Sequence, residues 1–288
     1  MKKLVLYCIM SILLLFACSS HGNKAKIESI QIKGSDTIVN LIQVWAENFI
    51  KSHPNLNISI TGGGSGTGFA SLINKTCDIA MSSREVEDIE VALAKQNNVN
   101  PIGFKVGLDG LVVIVNRDNP VTQLTLTELK NIFMAKITNW KEVGGQNRKI
   151  VILSREANSG THMFFKEHVI RSGYANSSDE FSVHSLMMPS SQAVYDEVLQ
   201  NPNALGYVGM GFVDNKIKVI SVAVDENSKY IYPTRDTVVN GSYPISRPLY
   251  LYTNGKPEGI IEMFIDYAVS DEGQKIVVDT DFVPIKKD

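Results

Sequence analysis

The fold is decided by one short stretch near the start of the chain, Ile30-Gln31-Ile32-Lys33-Gly34-Ser35-Asp36-Thr37. Its first residues alternate apolar and polar side chains, which is typical of a β-strand. A glycine turn follows, and apolar residues then recur at helical spacing from Ile38 to Phe49. The stretch therefore predicts a strand, a turn rich in hydrogen-bond donors, and a helix.

The same unit recurs further along the chain. A strand at 57–61 leads into a glycine-rich turn over 62–68, and a strand at 149–153 leads into a turn over 154–161 that opens a helix. Thr125 and Glu128 have capping-box spacing, which predicts another helix start. Alternating strands and helices indicate an α/β fold with mostly parallel sheets and helices on both faces. Because ligands bind such sheets at the carboxyl ends of strands, the three turns predict a ligand site.

The three turns have the composition of an anion site. A helix start exposes unpaired backbone N–H groups and carries a partial positive charge. Glycine allows close approach, and serine and threonine hydroxyls add donors. An arginine adds a bidentate contact to a tetrahedral oxyanion, and Arg155 lies four residues before a Ser-Gly-Thr helix start. The candidate ligand residues are Ser35, Asp36, Thr37, Ser65, Ser83, Arg84, Arg155, Ser159, Gly160 and Thr161.

Each candidate also has a structural interpretation. The serines and threonines fit ordinary helix caps, and Arg84 followed by Glu85 and Glu87 fits a surface ion pair. His162 lies in the first helical turn and is interpreted as structural. The turn over 62–68 is no nucleotide P-loop, because it lacks the Gly-Lys-Ser/Thr ending. The dinucleotide fingerprint fails in it, and Thr67 replaces the second glycine of a nucleophile elbow.

The first residues predict export from the cytoplasm. Lys2 and Lys3 precede an apolar run over 4–16 that is too short to span a bilayer as a helix, so residues 1–17 are interpreted as a signal peptide. The run ends in Leu-Phe-Ala-Cys, which resembles the lipobox of bacterial lipoproteins and predicts lipidation of Cys18. Residues 18–26 then form a tether. The alternative is an ordinary secretory signal, in which Cys18 is not modified.

Composition excludes several classes of function. The formal net charge is −2, and removal of Lys2 and Lys3 with the signal peptide makes it more negative, so no nucleic-acid partner is expected. Of three cysteines only Cys77 lies beyond the leader and tether, so neither a disulfide nor a thiolate metal cluster is predicted. No later apolar run is long enough to cross a membrane. The length suits two lobes, each with its own core.

The order of these motifs resembles the phosphate-binding proteins of bacterial phosphate ABC transporters. The resemblance is carried by Gly34 to Thr37, Gly63 to Gly66, Asp78 to Ala80 with Ser82, Arg155 with Ser159 to Thr161, Gly110 to Asn116, Asn139-Trp140, Leu205 to Val208, Tyr243 to Ile245 and Ser270 to Gly273. It implies a two-lobed type II periplasmic binding fold, each lobe a mixed, mostly parallel sheet flanked by helices, with the ligand in the cleft.

The resemblance also implies boundaries and partners. Lobe one is expected to hold residues 27–111 and 247–288 and lobe two residues 112–246, with crossings near Leu111 and at 244–249. The expected ligand is inorganic phosphate, handed to a permease that an ATPase drives. The protein is expected to be monomeric, to catalyse no reaction and to need no cofactor or metal. A lipid anchor would hold it on the outer side of a bacterial membrane, at the periplasmic side or the cell surface.

Two departures from the family pattern leave alternatives open. Well-known members carry aspartates where this chain has Ser83 and Ala157, and those carboxylates accept the phosphate proton or brace the arginine. Asp36, or Glu156, would have to replace them. Sulfate, molybdate or tungstate is therefore the alternative ligand. The alternative classes are a phosphoryl-handling enzyme, which needs an activated nucleophile or metal site, and a host-facing adhesive lipoprotein.

Overall fold

The structure is a computed structural model that describes residues 28–174 and 176–285. The predicted signal peptide, Cys18 and the tether lie outside the described residues. The strands are β1 (Glu28–Gly34), β2 (Leu56–Thr61), β3 (Ile79–Ser82), β4 (Pro101–Asn116), β5 (Gln123–Thr125), β6 (Val151–Arg155), β7 (Leu186–Met188), β8 (Ala204–Gly209), β9 (Ile217–Val219), β10 (Ser221–Ala223) and β11 (Ser246–Asn254). Strands predicted around all three donor-rich turns are therefore present.

Helices separate most of the strands. The α-helices are α1 (Val39–Ser52), α2 (Ser65–Ile73), α3 (Asp88–Gln96), α4 (Leu126–Phe133), α5 (Gly160–Phe165), α6 (Ser191–Gln200), α7 (Arg235–Val239), α8 (Gly259–Val269) and α9 (Asp271–Asp279). Short 3-10 helices cover Asp36–Ile38, Trp140–Val143 and Met210–Phe212, and α5 continues into a π-helix, Lys166–Ile170. The predicted capping box at Thr125 and Glu128 opens α4. Among the described residues no helix is both long and apolar enough to cross a membrane.

One mixed sheet runs through the molecule in the order β2-β1-β3-β11-β4-β8-β6-β7, and β9 pairs with β4 beside it. The β1–β2, β1–β3, β6–β7 and β6–β8 pairs are parallel, whereas β4 and β11 run antiparallel to their neighbours. The prediction of an α/β fold with mixed sheets flanked by helices is confirmed, but the main sheet has as many antiparallel as parallel strand pairs instead of mostly parallel ones.

The long strand β4 joins the two halves of this sheet. It pairs with β11 as far as Gly110, opposite Ser246, and with β8 from Leu111, opposite Gly209. Apolar side chains on either side of this change of partner form separate cores. One contains Trp45 and Phe264, and the other contains Phe133 and Trp140. We call the half built on β1–β3 lobe one and the half built on β6–β8 lobe two.

Two local predictions differ from the structure. The spacing of apolar residues from Ile217 to Val222 predicts one strand, but the structure breaks it at Ile220, because β9 pairs with β4 whereas β10 pairs with β5. The helix that starts at Gly160 changes to π geometry at Lys166. The break at Ile220 follows from tertiary pairing, for which the local sequence carries no signal.

Candidate functional site

The three donor-rich turns meet between the lobes, at the carboxyl ends of β1, β2 and β6. The Gly64 N–H donates to Gly34 O over 2.9 Å, which joins the first two turns. The Gly66 N–H donates to Asn158 O over 3.0 Å, which joins the second turn to the third across the cleft. Gly64 has φ +97°, and a Cβ there would lie 2.5 Å from Asn158 O, so only glycine fits at this contact.

Serine hydroxyls from lobe one form a buried cluster at this meeting point. Ser35 Oγ donates to Ser83 Oγ over 3.0 Å, and the Ser83 N–H donates to Ser65 Oγ over 3.1 Å. All three serines are buried. Gly160, from lobe two, packs against them, since a Cβ at Gly160 would lie 2.2 Å from Ser65 Oγ and 2.8 Å from Ser83 Oγ. The start of α5 therefore faces the hydroxyl cluster directly.

A pair of threonines makes a second contact between the lobes. Thr37 Oγ1 and Thr161 Oγ1 lie 2.8 Å apart and both side chains are buried. Ser159 caps α5, and its Oγ accepts the His162 N–H over 3.4 Å. The structure thus brings together Ser35, Thr37, Ser65, Ser83, Ser159, Gly160 and Thr161, all of them predicted from the sequence.

Arg155 lies beside this cluster in a dense set of protein contacts. Its Nη1 donates to Ser191 Oγ over 2.8 Å and lies 3.4 Å from Asp36 Oδ2, and Nε and Nη2 donate to the carbonyls of Met188 and Pro189. Asp36 Oδ2 also accepts the Ser191 N–H over 2.8 Å. Asp36 therefore links lobe one to Arg155 and to the start of α6 in lobe two.

The charges around Arg155 act on its protonation. Burial lowers the pKa of the Arg155 guanidinium, the negative charge of Asp36 opposes that effect, and the positive charge of Arg247 adds to it. Two cationic side chains therefore approach the same site. Arg247 was not among the residues predicted from the sequence.

Arg247 and Asp109 form an ion pair at the change of partner in β4. They are directly opposite each other in the β4–β11 register. Asp109 Oδ2 accepts from Nη2 and Nε of Arg247 over 2.8 and 3.0 Å, and Asp109 Oδ1 accepts the Met210 N–H over 3.0 Å. Complete burial raises the pKa of the Asp109 carboxyl, and Arg247 and the Met210 N–H oppose that effect. Arg247 Nη2 also lies 3.1 Å from Thr161 Oγ1 and 3.4 Å from Thr37 Oγ1.

Arg84 is directed elsewhere, although Ser83 next to it belongs to the cluster. Its guanidinium forms two hydrogen bonds with the Glu90 carboxylate, over 2.7 and 2.8 Å, and lies 5.0 Å from the centre of the Phe69 ring. Glu90 also accepts the Glu87 N–H at the start of α3. An ion pair, the alternative considered for Arg84, is present, but Arg84 is buried and its partners are Glu90 and Glu87.

A cleft of about 530 Å³ leads from the surface to Arg247. Its walls come from the 84–88 segment of lobe one, from α5 and the π-helix of lobe two, and from the beginning of β11. Glu85, Glu87, Asp88 and Glu167 line it, so this side of the site is acidic. No group of three or more potential metal ligands occurs among the described residues.

Sequence reasoning missed Arg247, Asp109 and Ser191. For Arg247 and Asp109, the signal available in the sequence was a charged residue in or beside an apolar strand. Asp109 immediately precedes the apolar run that begins at Gly110, and Arg247 precedes a proline at the start of β11. Ser191 begins α6, and its hydroxyl and N–H bind Arg155 and Asp36.

An α/β fold of two lobes, with donors from both lobes gathered at strand ends, defines a solute-binding protein of the periplasmic type. A sequence profile of the PBP superfamily domain matches residues 19–272. The phosphate-binding protein PstS of Staphylococcus saprophyticus is 32% identical in an alignment of 302 positions, which covers 100% of this chain and 92% of that protein.

Solved structures agree with these sequence comparisons. A Clostridium perfringens protein assigned to phosphate ABC transport, crystallised with bound phosphate, superimposes with a TM-score of 0.80 and 32% identity, covering 90% of this chain and 100% of that one. An ABC-type phosphate transport receptor from Vibrio cholerae gives a TM-score of 0.71 and 30% identity over 89% of this chain and 100% of that one. The chain belongs to the PBP superfamily and, within it, to the family of PstS phosphate-binding proteins.

Proposed function

We propose that this protein binds inorganic phosphate between its lobes and delivers it to the permease of an ABC importer. The observation that carries the proposal is the meeting of hydroxyls from both lobes, Thr37 with Thr161 and Ser83 with Ser35 and Ser65, beside two arginines. Hydroxyls, helix-start N–H groups and guanidinium groups are the donors that a tetrahedral dianion requires. The names of the relatives support the same ligand and the same transport role.

The proposed role is binding and transfer, without catalysis. The proposed contacts are Ser35, Thr37, Ser65, Ser83, Arg155, Ser159, Gly160 and Thr161, with Asp36 bracing Arg155; Arg84 is left out because Glu90 holds its guanidinium. Closure of lobe one, 27–111 with 247–288, on lobe two, 112–246, would surround the anion. Export and a lipid on Cys18 would hold the protein outside the cytoplasm near its permease, and a monomer suffices for this transfer.

Sulfate is the second candidate ligand, and one contact pattern favours it. Asp109 accepts hydrogen bonds at both oxygens, and Asp36 Oδ2 is engaged by Ser191 and Arg155. Phosphate near neutral pH has a hydrogen to donate, whereas sulfate has only acceptors. A site with few free carboxylate oxygens therefore discriminates less strongly between them.

Titration calorimetry of the purified protein with phosphate, sulfate and molybdate tests the proposal. Phosphate should bind most tightly, and Gly160→Ala should abolish binding because its methyl group would occupy the space beside Ser65 Oγ and Ser83 Oγ. Gly107→Ala is the matched control, since a Cβ there has no neighbour nearer than 3.4 Å. Tightest binding of another oxyanion would reassign the ligand. Normal phosphate binding by Gly160→Ala would place the ligand outside the cleft.

A further inference from the structure

The Asp109–Arg247 pair lies where the chain crosses between the lobes. Asp109 is on β4 one residue before its last pairing with β11, and Arg247 is the second residue of β11. Both side chains are 0% exposed. A buried ion pair at this point can hold two strands together, and that is its purely structural interpretation.

The contacts of Arg247 extend beyond that pairing. Its Nη2 reaches Thr37 Oγ1 from lobe one and Thr161 Oγ1 from lobe two, which also contact each other. One guanidinium therefore touches the crossing strand and both halves of the proposed phosphate site. A pair that only joined β4 to β11 would not need these threonines.

The decisive observation is the third nitrogen of Arg247. Nη1 is buried and has no hydrogen-bond partner within residues 28–174 and 176–285. Buried donors on charged groups are nearly always paired, because an unpaired one loses its solvation without compensation. The guanidinium is planar, and its Nε and Nη2 edge faces Asp109. Its end, formed by Nη1 and Nη2, is therefore turned toward the threonine pair.

The second guanidinium of the site provides the contrast. Each nitrogen of Arg155 has a protein partner, whereas Arg247 keeps one nitrogen for another acceptor. An oxyanion beside Thr37 and Thr161 is the acceptor that this geometry fits, because Nη1 still has its N–H donors and a charge-assisted hydrogen bond to an oxyanion oxygen would satisfy them.

We propose that Arg247 donates directly to the bound oxyanion through Nη1 and that Asp109 is the positioning residue that orients this guanidinium. The inference deepens the proposed function and rests on it. Because Arg247 lies on a crossing strand, the anion would contact lobe one, lobe two and the crossing strand together.

Calorimetry with inorganic phosphate on four proteins tests the role of Arg247. Wild type should bind. Arg247→Lys keeps the charge beside Asp109 but loses the planar fork, and should weaken binding about tenfold or more. Arg171→Gln, which breaks a surface ion pair with Glu180, is the control and should bind as wild type does. The double variant Asp109→Asn with Arg247→Gln removes both buried charges, so it should remain folded and bind at least as weakly as Arg247→Lys.

The outcomes distinguish a failure of the proposed function from a failure of the role proposed for Arg247. A wild type that binds none of the tested oxyanions would overturn the proposed function and this inference with it. Binding by wild type, together with unchanged affinity in Arg247→Lys or in the folded double variant, would overturn the inference alone.

Asp109 needs a measurement that distinguishes positioning from general stability. Asp109→Asn should weaken phosphate binding in the wild-type background but cause no further loss in the Arg247→Gln background, because its effect passes through Arg247. A purely structural carboxylate would weaken binding by the same factor in both backgrounds, and that result would remove the positioning role.

Discussion

Arg155 and Arg247 each place a guanidinium at the cleft, and each faces a carboxylate. The two ion pairs differ in burial and in the parts of the fold that they connect. Asp36 is 24% exposed and lies 3.4 Å from Arg155, whereas Asp109 is fully buried and 2.8 Å from Arg247. The Arg155 pair joins the two lobes directly. The Arg247 pair lies across adjacent crossing strands. In the proposed closure, the first pair would form when the lobes meet, whereas the second would lie at the hinge.

The largest expected effect is on stability, and it separates the two pairs. Asp109→Asn leaves a guanidinium buried without its counter-charge, which should lower the free energy of unfolding by about 3–5 kcal/mol. Asp36→Asn should cost only about 1 kcal/mol, because solvent reaches that carboxylate. Urea unfolding of both variants at pH 7 makes the comparison. Equal losses would show that the two pairs contribute alike and that burial does not distinguish them.

The next prediction concerns affinity. Arg155→Ala should weaken phosphate binding about tenfold or more, because it removes a charged partner that is 1% exposed. The loss should be smaller than that of Arg247→Gln, since the nitrogens of Arg155 already have protein partners. Calorimetry on proteins with unchanged circular dichroism provides the measurement. A folded Arg155→Ala protein with near-normal affinity would remove Arg155 from the site.

The two pairs also show which parts of the site the local sequence can predict. The turn containing Asp36 and the turn containing Arg155 were predicted as ligand loops because glycine and hydroxyl residues follow a strand in both. Asp109 and Arg247 are 138 residues apart, and their meeting depends on the register of β4 with β11. No local pattern encodes that register. Arg84 shows the reverse, since its position after Ser83 predicted a ligand contact, but the carboxylate of Glu90 holds its side chain.

The protonation of His162, a buried residue near Arg155, should make the stability of the protein depend on pH. Burial, the charge of Lys166 and, to a smaller extent, that of Arg155 together lower the pKa of His162 from 6.5 to about 4. Its ring lies 4.5 Å from the Phe181 ring at a tilt of 30°, and Nδ1 lies 3.2 Å from Ser154 Oγ. The folded protein therefore keeps this ring neutral at pH values where the unfolded chain already binds a proton.

Stability should consequently fall as the pH drops from 6.5 toward 4, and this residue should account for up to about 3 kcal/mol of the loss. Urea unfolding of wild type and His162→Gln at pH 4.5, 5.5, 6.5 and 7.5 isolates the contribution, because other groups titrate equally in both. The wild type should lose more stability on acidification. Parallel curves would mean that His162 takes up a proton in the folded state as readily as in the unfolded chain.

The smallest expected effect is on selectivity, and it asks what Asp36 does besides bracing Arg155. Its Oδ2 is engaged by Ser191 and Arg155, so Oδ1 is the atom left to accept a proton from phosphate. Sulfate would meet that oxygen as an unpaired negative charge, so the carboxylate should disfavour sulfate. In Asp36→Asn the amide oxygen can still accept the Ser191 N–H, while the amide nitrogen donates to either anion. The phosphate-to-sulfate affinity ratio, measured by calorimetry, should therefore fall roughly threefold, which is the effect of losing one modest hydrogen bond.

An unchanged affinity ratio in Asp36→Asn would mean that Asp36 acts only as a link between the lobes. A hydroxyl of the serine cluster would then accept the hydrogen bond from phosphate. Ser83, which already accepts a hydrogen bond from Ser35, would be the first residue to test.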